Sequence, residues 1–180
     1  MSSGLPFQPV KPIRGGRPMD ALYERLAADP LWVTQAKLDG QRGIWDPDAP
    51  TSGNRGTLWS RRDLPIYSPA VLEVLNLVDD TIDGEYMSRK GHRGEGTYWC
   101  FDLPDARGPY SARWAKLVKL VRSLNAPGLV NLCPSGVDWA GVEANGWEGV
   151  VFKRLSSKYT KSMSATTTTA DWVKYRAEWL

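Results

Sequence analysis

The chain has 180 residues, 42% of them hydrophobic, and a formal net charge of only +3. It can bury a core in one domain or two small lobes, and its charge speaks against a uniformly basic surface. One histidine, His92, and two distant cysteines, Cys100 and Cys133, exclude a zinc site or redox pair of ordinary spacing.

No apolar run reaches the length of a membrane span, and "MSSGLPFQPVKPIR" lacks the apolar centre of a signal peptide. An intracellular protein, cytoplasmic or nucleoid-associated, with reduced thiols and no membrane partner is expected.

Residues 1–18 carry Pro and Gly at short intervals and read as an extended arm. Residues 19–180 read as one domain, because no linker divides them. "MDALYERLAADP" has Leu22 and Leu26 at helical spacing and ends at Pro30. "LWVTQAKL" is apolar and β-branched, a strand running into a "DG" turn. "RGIWD" and "GTLWSRR" read as a hairpin with a long loop. In "SPAVLEVLNLVDD", Ser68 is the expected N-cap and Pro69 the first helical residue.

"TIDGEYMS" and "GTYWCFDLP" predict two strands joined by the basic loop "RKGHRGEG". "SARWAKLVKLVRSLN" is the clearest helix, with Trp114, Leu117, Val118, Val121 and Leu124 on one stripe. A short strand "GLVNLCP" and a short helix "WAGVEANG", closed by Gly146, follow. "WEGVVFKR" is a strand, "KYTKSMSATTTTA" a polar loop and "DWVKYR" a last strand. Strands outnumber helices, so an α+β fold with antiparallel sheets and flanking helices is expected. Trp59, Trp99, Trp147 and Trp172 are assigned to packing.

The chemistry starts at Lys37, just before the turn in "QAKLDGQRG". A free lysine, with a pKa of about 10.4, is a poor nucleophile at neutral pH. Nearby cations or burial favour the neutral amine, and Arg42 is one such cation. Other strands bring Glu85, Phe101 beside Asp102, the pair Glu148 and Lys153, and the pair Lys174 and Arg176. Glu148 and Lys153 fall on opposite faces of a regular strand, whereas Lys174 and Arg176 share one. Cations for phosphate oxygens, carboxylates for a metal or ribose and an aromatic for a base together equip a nucleotide site.

Six segments stand in order: "KLDGQR" at 37–42, "SRRD" at 60–63, "DGE" at 83–85, "YWCFDL" at 98–103, "EGVVFK" at 148–153 and "WVKYR" at 172–176. Each is weak alone. Together they resemble the adenylation (nucleotidyltransferase) domain of ATP-dependent DNA ligases, a superfamily shared with RNA ligases and mRNA capping enzymes. The resemblance implies an ATP-grasp-like nucleotidyltransferase fold. It implies that Lys37 attacks the α-phosphate of ATP and holds AMP, with Asp39 and Gly40 shaping its loop. Arg42 and Glu85 would bind the ribose, and Phe101 would stack on adenine. Gln35 stands where the family often has a glutamate that reads the adenine amino group. Lys153, Lys174 and Arg176 would hold the AMP phosphate. Arg61 or its neighbour Arg62 would take the 5′-phosphate of the strand to be joined. Glu148 would position Mg2+ or Mn2+.

The implied activity is joining of nicked duplexes, DNA being favoured over RNA, as in replication and repair. A catalytically idle nucleic-acid-binding module is the alternative of a different class. The sequence departs from the family in carrying arginine at position 176, where lysine is usual, and in showing no OB-fold domain. Weak or partner-dependent self-adenylation is therefore expected, with an OB-fold or other subunit acting in trans.

Overall fold

The computed structural model of the protein describes residues 4–177, apart from 52, 93, 163 and 165. The first three positions of the arm, Arg93 of the basic loop, two positions of the 158–170 loop and the last three residues lie outside that description.

The first half contains β1 (Gln8–Pro9), β2 (Lys11–Arg14), α1 (Ala21–Ala28), β3 (Trp32–Lys37), β4 (Gln41–Asp46), β5 (Thr57–Ser60), α2 (Pro69–Leu75) and β6 (Ile82–Ser88). The second contains β7 (Gly96–Asp102), α3 (Tyr110–Leu124), β8 (Val130–Leu132), α4 (Trp139–Asn145), β9 (Gly149–Arg154), β10 (Lys161–Ser162) and β11 (Thr168–Arg176). They form a five-stranded sheet ordered β5-β4-β6-β7-β8, a four-stranded sheet ordered β2-β11-β9-β3, and the small pair β1-β10. The fold is α+β with flanking helices, as the pattern of elements implied. The sheets are mixed: β2 runs parallel to β11, and β8 parallel to β7.

Alternation along the strands explains the five-stranded sheet. Trp45, Ile82, Tyr86, Tyr98 and Cys100 pack beneath Val71, Leu72 and Leu75 of α2 and Leu117 and Val121 of α3. The opposite face carries Arg42, Asp83 and Glu85, with Arg42 directly across from Glu85. Unlike the first "DG", the second lies within a strand: Asp83, Gly84 and Glu85 all belong to β6. Gly84 is required by close packing: a Cβ there would sit 2.6 Å from Tyr98 Cζ. On α3, Leu120 joins the buried cluster rather than Val118. Ser68 is the N-cap of α2 but makes no side-chain capping bond.

The four-stranded sheet works the same way. Its outer face, with Val150, Phe152, Val173 and Tyr175, packs on Tyr23 and Leu26 of α1 and Trp139 and Val142 of α4. Asp20 caps α1 through Tyr23 N, and Asp138 caps α4 through Gly141 N. The inner face is built in rows across β3, β9 and β11. Lys37, Gly149 and Arg176 make one row, Gln35, Val151 and Lys174 the next, and Val33, Lys153 and Trp172 the third. The arm is not a free extension: β2 closes this sheet, and Gly15 N donates to Lys174 O at 2.9 Å.

Gly149 sits at a close approach of β9 to β11. A Cβ there would lie 1.9 Å from Tyr175 O, inside any van der Waals contact. Gly149→Ala is expected to cost about 1–3 kcal/mol or more, by forcing β11 away. An unchanged urea midpoint for that variant would contradict this packing.

Candidate active site

The inner faces of the two sheets enclose a cavity of about 300 Å³. Gln35, Lys37, Arg42, Arg61, Glu85, Phe101, Glu148, Lys153, Lys174 and Arg176 all line it. Arg62 does not: it is exposed and stands outside the lining, whereas its neighbour Arg61 is part of it. Seven cationic side chains face three carboxylates here, so the hollow is suited to an anion.

One end is built by the first row of the four-stranded sheet. Lys37 Nζ donates to Glu148 Oε2, and Arg176 Nε lies 2.8 Å from Glu148 Oε1. Glu148 reaches the same side as Lys153 because strand alternation begins only at Gly149, one residue later. Lys174 lies one row away. Partial burial, then the charges of Arg176 and Lys37, lower its pKa. Phosphate oxygens entering here would meet several cations and few competing acceptors.

Lys153 belongs to the other end. It stands four positions from Gly149 on β9, about 13 Å along a strand. Its side chain is almost wholly buried and donates to Phe101 O at 3.3 Å. The ammonium sits 4.3 Å from the Trp172 ring centroid, 4.6 Å from Phe101 and 4.9 Å from Tyr110. Burial lowers its pKa to about 8, with Asp102 and Asp83 opposing the shift. This arrangement couples β9 to β7 at the aromatic end. It does not place the amine beside Lys37 as a phosphate ligand.

Arg42 is fixed from the other sheet. Its Nε and Nη2 donate to Asp83 at 2.9 and 2.6 Å, and its Nη1 donates to Val10 O at 2.7 Å. Burial alone would lower its pKa, but Asp83 outweighs that and holds it firmly protonated. Tyr159 adds a 2.6 Å hydrogen bond to the same carboxylate. Arg42 is thus a structural cation, 5.3 Å from the Phe101 centroid.

Glu85 is pushed up to about 7 by burial, against the pull of Arg42 and Lys37. The folded protein keeps this proton to about pH 7, whereas an unfolded glutamate releases it near 4.3. The native state binds more protons between those values, so stability falls as pH rises across that window. Glu85→Gln is expected to flatten the fall, read as melting temperature from pH 5 to pH 8. A variant that tracks the parent at every pH would contradict burial of an ionisable group here.

A scan of protein-family models finds no match, and neither does a search of curated proteins. Solved structures do match. A mycobacterial DNA ligase D complexed with ATP and MES is 25% identical, with a TM-score of 0.67 over 95% of this chain and 60% of that one. A Chlorella virus DNA ligase-adenylate is 15% identical, with a TM-score of 0.61 over 93% of this chain and 69% of that one. An archaeal ATP-dependent RNA ligase is 16% identical, with a TM-score of 0.57 over 94% and 48%. The chain has the fold of the adenylation domain of ATP-dependent ligases. It spans about three-fifths of the length of the mycobacterial ligase.

Two further side chains line this cavity that the sequence did not single out as site residues. Lys11, on β2, lines it, and partial burial and the charges of Arg61 and Arg42 lower its pKa. Trp172, assigned to packing, lines the aromatic end. Cys133 also lines the cavity, but burial pushes its thiol up to about 12 and its Sγ donates to Ala36 O. It is an inert wall. Both cysteines are free and buried, as expected. Among the described residues no helix is long and apolar enough to cross a membrane.

Proposed function

We propose that this chain is the nucleotidyltransferase core of an ATP-dependent polynucleotide ligase, with nicked DNA as its favoured substrate. The observation that carries the reading is the convergence of Lys37, Glu148, Arg176 and Lys174 at one end of a cavity whose other end is aromatic. A mononucleotide has that same polarity, phosphate at one end and a flat base at the other.

In this reading ATP lies along the strands, its α-phosphorus beside Lys37. The neutral amine attacks that phosphorus, the bond to pyrophosphate breaks, and the nitrogen gives its proton to solvent. Glu148 holds the amine in line, while Lys174 and Arg176 offset charge on the phosphate oxygens. A 5′-phosphate oxygen then displaces the lysine, which regains a proton. Finally the 3′-hydroxyl attacks the 5′-phosphorus, AMP leaves, and the hydroxyl proton passes to solvent. Glu85 accepts from ribose hydroxyls when ionised, so nucleotide affinity rises through pH 7. Arg61 and Lys11, which both line the cavity, take the strand's 5′-phosphate.

Among the described residues no three His, Cys, Asp or Glu side chains cluster as a metal site. Glu148, between Lys37 and Arg176, fits a cation held by one carboxylate and completed by nucleotide phosphates and water, as Mg2+ or Mn2+ accepts. Such an ion would neutralise phosphate charge when bound. An OB-fold partner in trans would assist the first step.

The test offers the protein ATP and a divalent cation with nicked DNA, nicked RNA or a 5′-adenylated nick. Joining of DNA is the expected result. Preference for RNA ends would move the reading to an RNA ligase. Binding without joining of any substrate would leave an idle nucleic-acid-binding module. Lys11→Ala is expected to slow sealing of the pre-adenylated nick several-fold, while leaving self-adenylation nearly intact. Equal loss in both steps would remove Lys11 from the strand phosphate.

A further inference from the structure

On the outer face of the four-stranded sheet, turned away from the nucleotide cavity, a second hollow of about 680 Å³ lies between α1 and α4. The chemistry proposed above makes no use of it. Its floor is apolar and aromatic: Trp32 and Phe152 come from strands, Tyr23 and Leu26 from α1, and Val137 and Trp139 from the start of α4. Met19, 52% exposed, adds a flexible apolar side chain to the lining, of the kind that adapts to a partner.

Three carboxylates line this hollow, Glu24, Asp138 and Glu143, and no lysine, arginine or histidine does. On a chain of net charge +3 that is a local reversal of sign. Burial, then the charges of Glu24 and Asp138, raise the pKa of Tyr23, so both carboxylates act on one ring. One Asp138 oxygen accepts from Gly141 N, while Glu24 and Glu143 are exposed. Arg25 lies outside the lining. Arg154, 5.8 Å from the Trp32 ring centroid, pairs with Asp171 at 3.6 Å.

A second, independent observation points to a ligand. Trp139 is only 6% exposed, and its Nε1 has no hydrogen-bond partner. An indole N–H can only donate, and a buried donor left unpaired costs free energy. The occupant must bring an acceptor for Trp139, a cation for the carboxylates and apolar surface for the floor. A metal ion lacks the first and the last, and a nucleic acid has the wrong charge. A peptide carrying lysine or arginine has all three. A backbone carbonyl accepts from the indole, the aliphatic stem lies along the aromatic floor, and the charged head reaches the carboxylates.

We propose that this hollow docks a basic peptide segment with apolar neighbours, supplied by a partner protein, on the far side of the sheet from the nucleotide. The proposal does not depend on the ligase reading.

Calorimetry with a short capped peptide of alternating leucine and lysine, and with its leucine–glutamate counterpart, tests it. The lysine peptide is expected to bind, less tightly as salt rises, and the glutamate peptide at least about tenfold more weakly. The double variant Glu24→Lys, Glu143→Lys is expected to lose at least about tenfold in affinity for the lysine peptide. Trp139→Phe, which keeps a ring but not the donor, is expected to lose about threefold or more. Equal binding of both peptides, binding untouched by charge reversal, or no binding would overturn the proposal. So would competition with ATP, which would put the peptide in the nucleotide cavity. A parent dimer abolished by charge reversal would overturn it too, by making a second copy the occupant. Labelling by ATP is expected at the parent's rate in the double variant. Its absence from both proteins, with the lysine peptide still bound, would sink the ligase reading alone.

Discussion

Lys37→Ala is expected to abolish ATP-dependent joining, lowering it by about 10³-fold or more, since no second amine stands in its place. Lys174 is one row away along the sheet, and Lys153 is held against Phe101 at the opposite end. The same variant should still seal a pre-adenylated nick, because that step needs the cavity and not the amine. The two assays together separate a lost nucleophile from a lost fold. A variant that fails both, with an unchanged melting temperature, would show that Lys37 binds substrate rather than attacks it. A variant that joins normally with ATP would remove Lys37 from the chemistry.

Asp83→Ala is expected to destabilise the protein by about 3–5 kcal/mol, the largest effect of any single side chain at the site. Asp83 is fully buried and accepts two hydrogen bonds from Arg42 and one from Tyr159. Its removal strands a guanidinium that cannot deprotonate, with Val10 O its remaining hydrogen-bond acceptor. Burial makes that loss costly, since an isolated charge is far worse than no charge. Arg42→Met in the same background should recover part of the stability, because the stranded charge is then gone. Urea denaturation of the parent, both single variants and the double variant measures this. A cost below about 1 kcal/mol for Asp83→Ala, with no rescue, would show that water reaches Arg42 and that this wall of the cavity is open.

The parts of the site legible in the sequence are those fixed by local rules. Lys174 and Arg176 share a face because they are two apart on a strand, and Lys37 sits at a strand end because the first "DG" is a turn. What stayed hidden depends on register between distant strands. Lys153 reads as one more phosphate cation from its motif, yet pairing with Trp172 and Val33 puts it at the aromatic end. Lys11 belongs to the cavity only because β2 pairs with β11, a strand more than 150 residues later. Glu148 and Lys153 reach one side against simple alternation, because Glu148 precedes the strand. Asp83 reads as one residue of the "TIDGEYMS" strand, and its work as the partner of Arg42 follows from the β4–β6 pairing. The local chemistry of Asp-Gly is the same in both places; tertiary pairing decides between turn and strand.

In the proposed mechanism the amine of Lys37 is the atom that takes the nucleotide. The most direct measurement incubates the protein with ATP and a divalent cation, digests it under neutral conditions and locates the added AMP by mass spectrometry. One AMP is expected, carried on Lys37 through a phosphoramidate bond that acid cleaves. AMP attached elsewhere, or a fully unlabelled chain that nonetheless joins nicked strands with ATP, would contradict it.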